Sequence, residues 1–168
     1  TLTANFLLEG YIPVATADEL NNIRYAVTNT FGEGTPYEGV YTAGLDKKYI
    51  QLSDIDLNSA PYNSGNGWEP IGTDWSDTFT GVFDGNNLVI SNLFVDRTDD
   101  EGVGMFGYVG REGIVVNVNM ESVSVSGEEY VGGLAGANEG TIENSTSTGN
   151  ILGDYGVGGL VGLNYNFG

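Results

Sequence analysis

Val131-Gly132-Gly133-Leu134-Ala135-Gly136-Ala137-Asn138 returns as Val157-Gly158-Gly159-Leu160-Val161-Gly162-Leu163-Asn164, so that Val131 is echoed by Val157, 26 residues on. A fixed period of this size marks a stack of repeats, each covering the apolar edge of its neighbour. The stretch therefore predicts a solenoid built turn by turn.

Working outward, four short runs align as a column on the pattern apolar, x, Asn or Asp, apolar: Leu52 to Leu57, Ile90 to Val95, Val115 to Met120 and Ile142 to Ser147. Apolar residues three apart cannot both face inward on a straight strand, where side chains alternate. The chain must bend between them. Asn and Asp tolerate the left-handed conformation best among non-glycine residues, so Asp54, Asn92, Asn117 and Asn144 are expected at one corner of successive coils, bonded up the column. Gly81 to Ile90 also lies over Gly133 to Ile142, with Gly104 to Gly107 filling the coil between, and Ser122 to Gly127 matches Thr148 to Gly153. Three strands per coil define an all-β, right-handed parallel β-helix, the hand following from the chirality of parallel crossovers.

Composition agrees with that class. Glycine supplies 27 of 168 residues, spread among hydrophobics and not gathered in a low-complexity tract. The formal charge of −18, with no histidine, excludes a phosphate-neutralising nucleic-acid surface and an anionic-membrane surface. No cysteine is present, which removes disulfides, zinc thiolates and thiol catalysis. No apolar run is long enough to insert in a membrane, and Thr1-Leu2-Thr3-Ala4 lacks the basic start of a signal peptide. The chain reads as a mature or excised segment of an extracellular or cell-surface protein.

Residues 1–47 read as an N-terminal cap holding one amphipathic helix over about 16–27. Thr16 and Glu19 stand at capping-box spacing, and Leu20, Ile23 and Val27 form the stripe. Residues 48–168 read as coils, with an inserted loop at 58–78 and an incomplete last coil ending at Gly168.

The Gly-Gly-Leu-(Ala/Val)-Gly-x-Asn cores, followed by Gly140-Thr141-Ile142-Glu143-Asn144, resemble the GLUG repeat. Leu52 to Leu57, Trp68-Glu69-Pro70-Ile71-Gly72 and Phe79 to Asn86 resemble the segment that leads into such repeats in large bacterial surface proteins. The likeness covers roughly residues 48 to 164; Ser145 and Ser147 depart from it by standing in apolar slots. The resemblance implies a right-handed β-helix in secreted or adhesin-like proteins, including the non-catalytic part of some immunoglobulin A peptidases, and brings no catalytic residues.

The first functional expectation is a non-catalytic, structural or adhesin-like segment that presents loops. A second is a carbohydrate-binding module using the inserted loop, where Tyr62, Trp68, Asp74, Trp75 and Asp77 combine flat aromatic faces with carboxylates. A third is a polysaccharide-degrading β-helix enzyme resting on Asp99 and Asp100. Adjacent strand residues point to opposite faces, however, so this pair suits a solvated loop better than an acid and base pair. No cofactor is firmly expected. Calcium is the one considered, with Asp54, Asp56, Asp96, Asp99 and Asp100 as donors, although the Asp54 run lacks the Gly and Glu of an EF-hand.

The repeat also presents two adjacent apolar columns, Met105/Leu134/Leu160 and Phe106/Ala135/Val161. Alternation lets one face the interior, and uniform size selects the first. Phe106, Ala135 and Val161, with Gly159 and Leu160 at the open end, then form an apolar stripe that needs a cover. The expected partners are further repeats or head-to-tail copies of the chain, and glycans or host and cell-surface components.

Overall fold

The computed structural model describes residues 10–165, so the Thr1 to Ala4 start and the Gly168 end lie outside the described residues. The chain is all-β, with one short helix. Its strands form four parallel ladders and one antiparallel hairpin, Thr28–Phe31 with Gly39–Thr42.

The first ladder runs Tyr11–Val14, Lys48–Gln51, Val82–Asp84, Ile114–Val116, Thr141–Glu143. The second runs Ile55–Asp56, Val89–Ser91, Asn119–Ser126, Thr146–Leu152, with Phe94–Asp96 also pairing on Asn119–Ser126. A third holds Glu101–Val103, Glu129–Gly132 and Tyr155–Gly158, and a fourth Phe106–Val109, Ala135–Asn138 and Val161–Asn164. From Ile114 onward the chain visits the four in order and returns to the first at Thr141, which pairs with Ile114. The expected three strands per coil are therefore four, because the chain bends at Gly133 and Leu134 and divides the motif into two strands.

The 26-residue echo is the true register. Val131 pairs with Val157, Ala135 with Val161 and Val125 with Ile151. Val115 also lies on Ile142, as the column predicted. Upstream the alignment is corrected. Ile90 pairs with Met120 and not with Val115, while Val115 takes Phe83, which in turn lies over Tyr49. Phe83 is thus one ladder away from Ala135. Ile55, not Leu52, pairs with Ile90, and this removes Asp54 from the Asn corner.

The single predicted Asn column is two corners. Asn117 and Asn144, at φ 57° and 50°, follow the paired residues Val116 and Glu143, with Gly85 beneath them. Asn92 and Ser122, at φ 59° and 56°, follow the paired Ser91 and Glu121. Nor do these Asn side chains bond each other: Asn92 Nδ2 donates to Asp56 Oδ1 at 2.8 Å, and Asn117 Nδ2 to Asp84 Oδ1 at 3.0 Å.

The helix spans Ala17–Asn22, shorter than expected. Its capping box is formed, with Thr16 Oγ1 accepting from Glu19 N and the Glu19 carboxylate accepting from Thr16 N. Asn21 and Asn22 are weak helix formers, and Val27 leads straight into the hairpin, so the stripe ends at the buried Ile23. Ahead of the helix, Tyr11–Val14 pairs with Lys48–Gln51 as a rung of the first ladder.

One apolar core runs through the stack, and both adjacent columns enter it. Met105 and Leu134 are fully buried, and so are Phe106 and Ala135, which corrects the outside stripe. Phe106 lies 4.9 Å from Phe79 and 5.8 Å from Phe83, ring centre to ring centre. The bend at Gly104 and Met105 lifts the alternation rule, so consecutive residues both turn inward. Leu160 and Val161 remain half-buried and Gly159 exposed, because nothing among the described residues follows them in their ladder.

Candidate functional site

The insertion at 58–78 is largely a piece of the stack. Single parallel bridges join Ile71 to Phe106 and Phe79 to Val109, so it supplies the underlying rung of the fourth ladder. Trp68 is fully buried, and its indole N–H donates to Met105 O at 3.0 Å. Tyr62 packs on it with ring centres 5.4 Å apart, and donates its hydroxyl to Asp18 Oδ1 at 2.6 Å. Burial, and then that bond to Asp18, pushes the Tyr62 hydroxyl above the ordinary tyrosine range. These two ring residues of the expected ligand loop are structural.

Trp75 differs: it is 45% exposed. It sits in the tight turn from Asp74 to Asp77, where Asp74 Oδ1 accepts from Ser76 N at 2.6 Å, Ser76 Oγ at 2.6 Å and Asp77 N at 3.1 Å. The Ser76 hydroxyl, then the Ser76 amide, hold the Asp74 carboxyl below its usual value. Asp77 accepts from Thr73 Oγ1 at 3.4 Å.

Three tyrosines close around Trp75. Ring centres of Tyr108, Tyr165 and Tyr130 lie 4.7, 5.5 and 6.5 Å from it, at interplanar angles of 61°, 68° and 69°. Tyr108 is buried, and burial first, then Glu101, Tyr130, Asp74 and Glu129, pushes its hydroxyl up to about 12. Tyr130 stands between Gly102 and Gly156 in the third ladder, and all three have left-handed backbones, at φ 53°, 67° and 59°. A bulky residue there is uncommon and costs about 1–3 kcal/mol. An open cleft of about 540 Å³ shares Tyr108 with the cluster and is lined also by Asp74, Arg97, Asp99, Asp100 and Glu101, while Trp75 itself does not line it. The sequence reading missed all three tyrosines. Tyr130 carried a signal, a ring in a column of glycines, but only once the register is known.

The calcium donors are not brought together. Asp54 accepts from Val89 N, Asp56 from Asn58 N and Asn92 Nδ2, and Asp100 from Arg97 Nη1 at 3.4 Å. The Asn92 amide, then the Asn58 amide, lower the Asp56 carboxyl. Among the described residues no three acidic side chains are placed to hold a metal ion, and no helix is long and apolar enough to cross a membrane.

Parallel ladders visited in the same order turn after turn, with glycine-tight corners, define a repeat protein. Residues 127–152 of this chain are a GLUG motif. The chain is 37% identical to halomucin of Haloquadratum walsbyi over 177 aligned residues, covering 95% of this chain and 2% of halomucin. It is 36% identical over 134 residues to a protein of Evansella cellulosilytica named as a Gly-rich membrane protein, covering 78% of this chain and 14% of that one. The chain thus spans a small part of either relative. No solved structure matches it.

Proposed function

We infer that the chain is one stretch of a right-handed parallel β-helix, a non-catalytic structural module of a secreted or cell-surface protein, whose exposed strands Thr146–Leu152 and Tyr155–Gly158 pair head to tail with a second copy of the chain. The observation that carries this reading is the exposed apolar edge of those strands. Leu152 and Tyr155 are 66% exposed and Val157 44%, on strands that pair on one side only. A bare strand edge is a template for more strand. In this reading the N-terminal segment acts as a cap, its described part, residues 10–47, placing Tyr11–Val14 on Lys48–Gln51.

The GLUG motif and two relatives far longer than this chain support a repeat-built parent, and the name of one supports a place at the cell surface. A charge of −18 keeps such a surface hydrated. An adhesin-like role follows from stiffness: the stack holds the insertion at a fixed place, where glycans or other surface components meet it.

Sedimentation equilibrium with amide exchange tests the open end. The expected result is head-to-tail association that rises with concentration, slows exchange over residues 157–164 and disappears in Leu152→Lys/Val157→Lys. A chain that stays monomeric, with those amides exchanging at loop rates, overturns the reading.

A further inference from the structure

We propose that Trp75 is the floor of a saccharide site that stacks the apolar face of an uncharged pyranose ring and takes its hydroxyls onto the neighbouring carboxylates. This is independent of whether the stack continues beyond its open end.

The two tryptophans divide the labour. Trp68 is consumed by the core, with its N–H bonded, whereas Trp75 keeps nearly half its surface in water. An exposed indole is usually mobile, yet this one is immobilised. The three bonds to Asp74 Oδ1 fix its turn, and three tyrosines brace its ring. A preorganised flat surface loses little entropy on binding. The chain also accepts a left-handed backbone at Tyr130, where its paired neighbours are glycines, to keep that ring beside Trp75.

Geometry and charge choose the ligand. The tyrosines meet Trp75 at steep angles, so they brace one ring and do not converge on a shared cavity, which argues against a cage for a quaternary ammonium. A sugar face suits a single flat ring, since its C–H side is apolar and its rim is hydroxyl. Asp74 adjoins Trp75 in its turn, and Glu101 and Glu129 act on the hydroxyl of the neighbouring Tyr108, so hydroxyl donors find acceptors there. The same acids, in a chain of charge −18, repel uronates and sulfated sugars.

The chain is titrated with cello-, xylo-, manno- and chito-hexasaccharides and with a galacturonate oligomer, by calorimetry and tryptophan emission. At least one neutral oligomer is expected to bind and to shift the emission, since Trp75 is the accessible indole. Trp75→Ala is expected to weaken binding by about tenfold or more, and Glu101→Gln by a few-fold with an unchanged melting temperature. Trp75→Phe, which preserves ring packing, retains part of the affinity and guards against misreading a folding defect. No binding by any neutral oligomer, equal affinity in Trp75→Ala, or galacturonate bound as tightly as the neutral sugars each overturns the proposal.

Discussion

Asn138 Nδ2 donates to Asn164 Oδ1 at 2.8 Å, one full turn of the stack away. Asn138 is buried, and its Oδ1 accepts from Gly140 N at 3.0 Å. One amide therefore both shapes the turn that leaves its strand and ties two turns together. The Asn-to-Asn bond expected at Asn92, Asn117 and Asn144 exists here instead, at the end of the motif that set the period.

Removing Asn138 strips a buried turn amide of its acceptor. Asn138→Ala is expected to cost about 2 kcal/mol and Asn138→Asp less, because a carboxylate keeps the acceptor for Gly140 N and Asn164 can turn its amide to donate to it. Asn164 is exposed, so Asn164→Ala should cost under about 1 kcal/mol. Urea midpoints separate them, and equal losses at both positions would contradict the arrangement.

The last turns were legible because they have equal length: Val131/Val157, Ala135/Val161 and Val125/Ile151 all sit at the spacing read from the motif. Earlier turns vary. Ile90 to Met120 is 30 residues and Phe83 to Val115 is 32, so a fixed period slides out of register. The pattern apolar, x, Asn, apolar could not correct the slip, since Asn92 and Asn117 mark two different corners with one local signal. The site was legible in part for the same reason. Trp75 stands out in its loop, but Tyr108, Tyr130 and Tyr165 reach it only through the ladders.

The motif glycines answer to crowding. A Cβ on Gly133 would strike Ser147 Oγ and come within 2.8 Å of Gly159 O, whereas one on Gly159, the same motif position a turn later, would meet nothing. Gly133→Ala is expected to cost about 1–3 kcal/mol by overpacking. Gly159→Ala should change stability by no more than about 0.5 kcal/mol in this chain. Similar melting temperatures for the two variants would refute the packing.

Arg24 clamps the helical segment to the insertion. Its guanidinium lies 4.8 Å over Trp68, Nη1 is 3.0 Å from Glu69 Oε2, and Nε donates to Asn21 O at 3.2 Å. Burial lowers its affinity for the proton, with Glu69 opposing. Glu69→Ala should cost about 1–2 kcal/mol, a buried-pair loss reduced by the half-exposed carboxylate. Arg24→Met keeps the stem on Trp68 and removes the buried charge, leaving Glu69 half-exposed to water, so it is expected within about 1 kcal/mol of wild type. A larger loss in Arg24→Met than in Glu69→Ala would sink this account.

Four tyrosines, Tyr49, Tyr62, Tyr108 and Tyr130, should resist ionisation. Burial pushes the hydroxyls of Tyr49, Tyr62 and Tyr108 upward, Tyr108 to about 12, while Tyr49 both donates to Gly44 O and accepts from Gly44 N at 2.8 Å. A folded value above the unfolded one, about 10, means that the protonated form is the one folding favours. Its stabilisation is complete below pH about 10 and is lost as pH rises through the folded value, which for Tyr108 sets a window from about 10 to about 12. Tyrosinate absorbance should therefore rise in two steps, with the second coinciding with a fall in the urea midpoint. Tyr108→Phe should flatten the slope of stability against pH in that window. A single step at the ordinary value, with no loss of stability until every tyrosine is ionised, would show that these hydroxyls are not held apart from water as the packing requires.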